Sequence, residues 1–410
     1  MKKAKFLFLF LFSVPLAFGA LPDWPQFRGP TGQGDAQVQK APLRWSESEN
    51  VAWRTELVGT AWSSPILGAG KLYLTNAVPA GEDVSLSALC LDASSGKVLW
   101  DRKIFRLDGG SAPRIHRKNS HASPTPMLDG ELLYVHFGHQ GTACLALDGK
   151  VKWKKRIDYP PVHGCGSSAV IEGDLLLFSA DGAKSPFLMA LDKRTGNVRW
   201  KALRAADAKR KFSFCTPLVI EVAGKRQIIS PASDYVFAYD LRGNPLWKLH
   251  YPGGYSVVPR PVFANGLVYV CSGFDRPILH AIRPTGKGDV TKTHLAWKTS
   301  KNAPHSSSVI VTKGLLFMAA DTGVVSCLDA KTGDVRWRER VSGSCSSSLL
   351  LAAGRIYLVD ESGKTFVFAA APKYKLLAQN NLADRCLASF AVTEGAFFIR
   401  TAKAVWRIGK

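Results

Sequence analysis

Three soft side chains, His305, Cys345 and Cys386, fall at one equivalent position in three successive segments of the sequence; Ala61, Ala122, Cys165, Ser213 and Val257 hold it elsewhere. Soft ligands gathered round one axis could bind zinc or copper. The plainer reading is that strands crowd the axis there and need small residues, cysteine among them. His136 and His139 stand three apart in HFGHQG. Alternation on a strand sends such rings to opposite faces, so a satisfied or exposed pair is expected unless Gly138 turns the chain. The serines at 306–308 and 346–348 have no G-x-S-x-G elbow and no identifiable base; they read as inner-strand packing residues. The eight cysteines are scattered with no C-x-x-C pair, which predicts buried, reduced thiols rather than a disulfide framework. No catalytic residue is assigned.

The elements that must position these residues are repeats. Trp53, Trp100, Trp153, Trp200, Trp247, Trp297 and Trp337 recur at steps of 40 to 53 residues. Ahead of most of them runs a hairpin signature, as in LDASSGKVLW, LDKRTGNVRW and LDAKTGDVRW. The aspartate can bond turn amides and the glycine can take positive φ. The tryptophan opens the next strand, where its ring can pack between neighbouring sheets. A second element occurs eight times: small residues, a short apolar strand, a turn, another apolar strand, as in SSPILGAGKLYL and SSVIVTKGLLFM. Each unit reads as four antiparallel strands, the mark of a propeller blade. The last unit lacks a fourth strand, and residues 50–57 carry a lone fourth-strand motif. The expected fold is therefore all-β, an eight-bladed β-propeller of four-stranded antiparallel blades whose ring is closed by the N-terminal strand. The expected division is an export signal over 1–19, an N-terminal extension over 20–49 and the propeller over 50–410.

The Leu-Asp-x-x-Thr-Gly-x-x-x-Trp hairpin resembles the repeat of the pyrroloquinoline-quinone (PQQ)-like propellers, a family that includes quinoprotein alcohol dehydrogenases and the outer-membrane assembly lipoprotein BamB. Residues 23–34 (DWPQFRGPTGQG) and 118–138 resemble segments of exported members of that family. The resemblance covers nearly the whole chain beyond the signal, and it implies much about fold and little about activity. The dehydrogenases are longer and carry adjacent cysteines over the quinone, together with a Glu/Asn/Asp calcium set. This sequence has no Cys-Cys pair, and its long connection, 103–121, is basic, with Asp108 as its one carboxylate. PQQ and calcium therefore have no recognisable site residues. BamB carries a lipobox, and no cysteine follows the apolar run here.

That run, residues 6–18, is preceded by Lys2, Lys3 and Lys5 and followed by small residues. It reads as a cleaved secretory signal, too short to span a bilayer. The expected location is periplasmic or extracellular without a lipid anchor, with no transmembrane segment after cleavage. The formal net charge of +22 then points to anionic polysaccharide or lipid, or to envelope proteins, and export argues against nucleic acid. A solvated basic face is the bland alternative. A ligand face is expected at Trp62, Arg114, His116, Arg117, Lys118 and His121. Three functions compete: an exported, non-catalytic binding or assembly scaffold, expected to be monomeric; a PQQ-dependent oxidoreductase; and a polysaccharide- or polyanion-binding module.

Overall fold

A computed structural model describes residues 24–109 and 115–409. The predicted export signal and Arg114 lie outside the described residues. Eight antiparallel sheets surround one axis, in blades numbered here along the chain: blade 1 (66–107), 2 (127–155), 3 (170–203), 4 (218–250), 5 (262–299), 6 (310–340), 7 (350–381) and 8 (391–408). The fourth strand of blade 8 is Val51–Glu56, antiparallel to Ala404–Ile408, so the ring closes as the sequence predicts. Blade 4 departs from four strands: Gly288–Asp289 adds a fifth by pairing in parallel with Pro245–His250. Among the described residues the one helix is the 3-10 turn Gly138–Gln140, and no helix is long and apolar enough to cross a membrane.

Strand sequence follows position in the blade. Middle strands face neighbouring blades on both sides and are almost wholly buried, as in Leu267–Cys271 and Leu315–Ala319. Outer strands alternate, as in Val51–Glu56, because one face meets water. The hairpin turns work as their residue types predict. Asp192 Oδ1 accepts from the amides of Arg194 and Thr195, at 3.0 and 2.9 Å, and Gly196 has φ +72°. A Cβ on Gly196 would also lie 2.6 Å from the Trp153 ring, so close approach excludes a side chain there as well.

The recurring tryptophans are inter-blade latches. Trp53, Trp100, Trp153, Trp200, Trp297 and Trp337 each donate their indole N–H to a turn carbonyl of the next blade, at 3.0–3.1 Å. Trp247 keeps the strand position but not the partner. It donates to Gln227 Oε1 (2.9 Å), and Gln227 Nε2 donates to Pro284 O of blade 5 (3.1 Å), so an amide relays the latch. At the seventh interface, where Leu377 takes the tryptophan's place, Trp45 from the N-terminal segment packs against Tyr357 of blade 7 and Phe397 of blade 8.

Candidate functional site: a channel plugged below and strapped above

The wall of the central channel is a girdle of hydroxyls at the start of the inner strands. The backbone N–H of Ser64 donates to Thr125 Oγ1, Thr125 to Ser168, and Ser168 to Thr216, at 2.9–3.0 Å. On the other side Arg260 donates to Ser308, Ser308 to Ser348, Ser348 to Ser389, and Ser389 back to Ser64, at 2.9–3.2 Å. The circle is broken between blades 4 and 5, where Arg260 replaces a hydroxyl residue. Sequence reasoning treats these serines as packing residues. Their common spacing, three residues beyond the equivalent position noted above, is the signal that would have found them.

The three soft residues at one repeat position meet different surroundings. Cys345 and Cys386 are fully buried, and the Cys386 thiol bonds the Arg400 and Ala388 carbonyls of its own blade. Burial pushes each thiol up to about 12. His305 instead stands at the chamber wall. Among the described residues no group of three His, Cys, Asp or Glu could hold a metal ion, so the three candidates are not brought together. Gly138 does turn the chain after His136 (φ +63°), but His136 is buried against Phe178 and bonded to Thr142, and His139 packs on Tyr159. All eight cysteines are buried free thiols.

One end of the channel is filled by the chain itself. Trp24 pairs with Leu67 of blade 1, and Pro25 O accepts from Leu128 N of blade 2. The chain then crosses the axis to blades 5, 6 and 7. Arg260 Nη1 donates to Phe27 O (2.7 Å), and Arg28 donates to Val309 O (2.7 Å) and Gln33 O (2.5 Å). Gly34 and Ala36 pair with Leu351. Arg28 and Arg260 are 2% and 3% exposed, and their described partners are carbonyls and the Gln26 side chain. Burial pulls Arg28 down to about 9, with Arg260's charge adding to it, and burial pulls Arg260 down to about 10. Both remain cations at neutral pH.

Above this plug lies a chamber of about 790 Å³ with Phe27 at its floor and the girdle around its base. Its upper wall is an arc of rings in continuous contact: His116, His163, Phe212, Tyr255, Phe274 and His305, with successive centroids 5.4–5.9 Å apart. Arg210 stacks on Tyr255. Phe274 lies in the turn between the second and third strands of blade 5 and the others in inter-blade connections; sequence reasoning names His116 and His305 but misses His163, Phe212, Tyr255 and Phe274.

A strap, residues 115–120, crosses the mouth. It is the described end of the long basic connection. Asn119 bonds His163 O near blade 3 (2.8 Å). Lys118 reaches Glu361 (2.8 Å), Ser346 (3.3 Å) and Asp321 (3.8 Å) on blades 6 and 7. Arg385 of blade 8 bonds Arg117 O and stacks on Trp62. Burial alone would raise the Glu361 carboxyl, but its bonds to Lys118 and Ser346 hold it below the usual range. Of the expected ligand face, Trp62, His116, Arg117 and Lys118 line the chamber. His121 is half-buried and does not line it, and burial pulls its imidazole pKa down.

A calcium-bound quinone does not fit this chamber. Asp321 and Glu361 are committed to Lys118, to Ser346 and to the amides and hydroxyl at His305 and Ser306. That leaves no convergent oxygen cage for a hard cation.

Comparison with solved structures places the fold. BamB from Moraxella catarrhalis superposes with a TM-score of 0.61 at 14% identity, over 87% of this chain and 99% of that one. The quinohemoprotein alcohol dehydrogenase ADHIIG from Pseudomonas putida HK5 gives 0.62 at 10% identity, over 94% and 80%. The computationally designed protein Ika8 gives 0.59 at 12%, over 90% and 100%. No curated protein matches the sequence significantly. The family described as outer membrane protein assembly factor BamB matches over residues 43–180, 87–294 and 279–373; these segments span most of the ring, and the chain belongs to that family.

Proposed function

We propose that this protein is an exported, non-catalytic propeller that works as a binding scaffold in the cell envelope, and that its working face is the strapped mouth of the channel. The observation that carries this reading is the asymmetry of the two ends. The N-terminal segment fills one end with buried contacts, while the other presents a wide chamber rimmed by rings and cations. Phe274 is 49% exposed at that rim, and an exposed aromatic beside a cleft is the anchor that interfaces use. Family membership supports a role alongside envelope proteins, and the lysine-headed apolar run over residues 1–18 supports export.

The test is photo-crosslinking in intact cells, with a crosslinking residue at Phe274 or, on the opposite face, at Lys331. Recovery of one envelope protein from the mouth position, and none from Lys331, is the expected result. Equal capture from both faces, or residence of the protein in the cytoplasm, would sink the reading.

A further inference from the structure

The base of the chamber carries donors that the chain leaves unused. Ser64, Thr125, Ser168, Thr216 and Ser389 line it and are at least nine-tenths buried. Each oxygen accepts an amide from a neighbouring blade. Among the described residues, none of the five O–H groups has an acceptor of its own. A buried hydroxyl without an acceptor costs free energy unless something supplies one.

The charge below the girdle has one sign. The Arg28 guanidinium donates to the Ser308 carbonyl and the Arg260 guanidinium to the Pro217 and Phe27 carbonyls, and neither is paired with a carboxylate among the described residues. A ring of O–H donors above two buried cations suits an anionic oxygen. The lining carboxylate Asp321 and the nearby Glu361 are already bound to Lys118 at the mouth.

The upper wall selects the body of the ligand. Successive rings of the arc meet at 65°, 82°, 77°, 71° and 66°. Rings set edge to face make a curved, faceted wall. They do not make the pair of parallel plates that would sandwich one flat ring. A faceted wall fits a short chain of puckered rings, each laying a C–H face on one aromatic, and the chamber's size is that of a site for several such units.

We propose that the chamber binds an acidic oligosaccharide, with a sugar carboxylate on the hydroxyl girdle and successive sugar rings on the arc from Phe212 to Phe274. The site shares Phe274 with the mouth proposed to hold a protein, and purified protein with sugar probes tests it separately.

The experiment is calorimetric titration of the purified protein at pH 7 with trigalacturonate, with maltotriose as the neutral probe and pyrroloquinoline quinone as the flat anionic one. Trigalacturonate should bind saturably at one equivalent, at least tenfold more tightly than either other probe. Phe212→Ala should weaken it at least tenfold, and Thr216→Val at least threefold, with the melting temperature checking that each variant is folded. Replacing Lys150 and Lys152 by alanine, both exposed at the outer edge of blade 2, should leave binding unchanged. The proposal falls if folded protein ignores trigalacturonate, if the acidic and neutral trimers bind alike, if the flat quinone binds more tightly, or if only the Lys150/Lys152 variant loses binding. None of these outcomes depends on whether a protein crosslinks at Phe274.

Discussion

The plug and the strap are both non-repeating segments laid across the same axis, and they are held by opposite means. The plug is anchored by buried groups: Arg28 is 2% exposed, and its two Nη groups donate to backbone carbonyls of the plug and at blades 6 and 7. The strap is anchored by an ion pair near water, with the Lys118 and Glu361 side chains 30% and 19% exposed. A charge buried against carbonyls cannot leave without stranding them, whereas a wet ion pair exchanges one partner for solvent at little cost. The plug therefore belongs to the fold, and the strap is a weakly held cover.

The sharpest way to break this contrast is Arg28→Ala. It strips the donor from the buried Val309 carbonyl and the half-buried Gln33 carbonyl, and should cost about 3 kcal/mol in urea unfolding; a loss under about 1 kcal/mol would mean that the plug is only draped over the ring. Lys118→Met should change global stability by less than about 1 kcal/mol. It should nevertheless speed hydrogen exchange at residues 116–119 while leaving 27–36 protected, and equal exchange in both segments would erase the distinction. The smallest effect is one of pH. The folded-state pKa of Glu361 is depressed, so its contribution is present at neutral pH and is lost as the pH falls through that value, below the ordinary glutamate range. Between pH 7 and pH 2, exchange in the strap, corrected for intrinsic rates, should rise, with most of the rise at the acid end, while the plug stays protected, because Arg28 keeps its charge throughout.

What the sequence reveals divides along the same line. Blade number, ring closure and the hairpin chemistry of Asp192 and Gly196 are legible because a repeat states each rule many times. Trp62, His116, Arg117 and Lys118 are reachable from register and charge, and the structure gathers them at one chamber. Aligning His305, Cys345 and Cys386 is sound, but equal rank in the repeat does not give equal surroundings: His305 stands at the chamber wall and both thiols are fully buried. The plug, the Gln227 relay and the arc's His163, Phe212, Tyr255 and Phe274 are hidden because each is built from single, unrepeated contacts between residues distant in sequence, such as Arg28 with Val309. The fifth strand on blade 4 is two residues long, too short to leave a pattern.

Arg260 carries one more consequence. Eight nearly alike blades give a ring almost no address: by symmetry, a segment lying across it has eight equivalent headings. The one position where arginine interrupts the hydroxyls abolishes that degeneracy, because it alone among the girdle positions reaches down to the Phe27 carbonyl. It acts as the index mark on a dial. Moving that arginine to the matching place on a neighbouring blade would ask the N-terminal segment to point elsewhere, and the chamber's lopsided wall would no longer sit over the floor it now has.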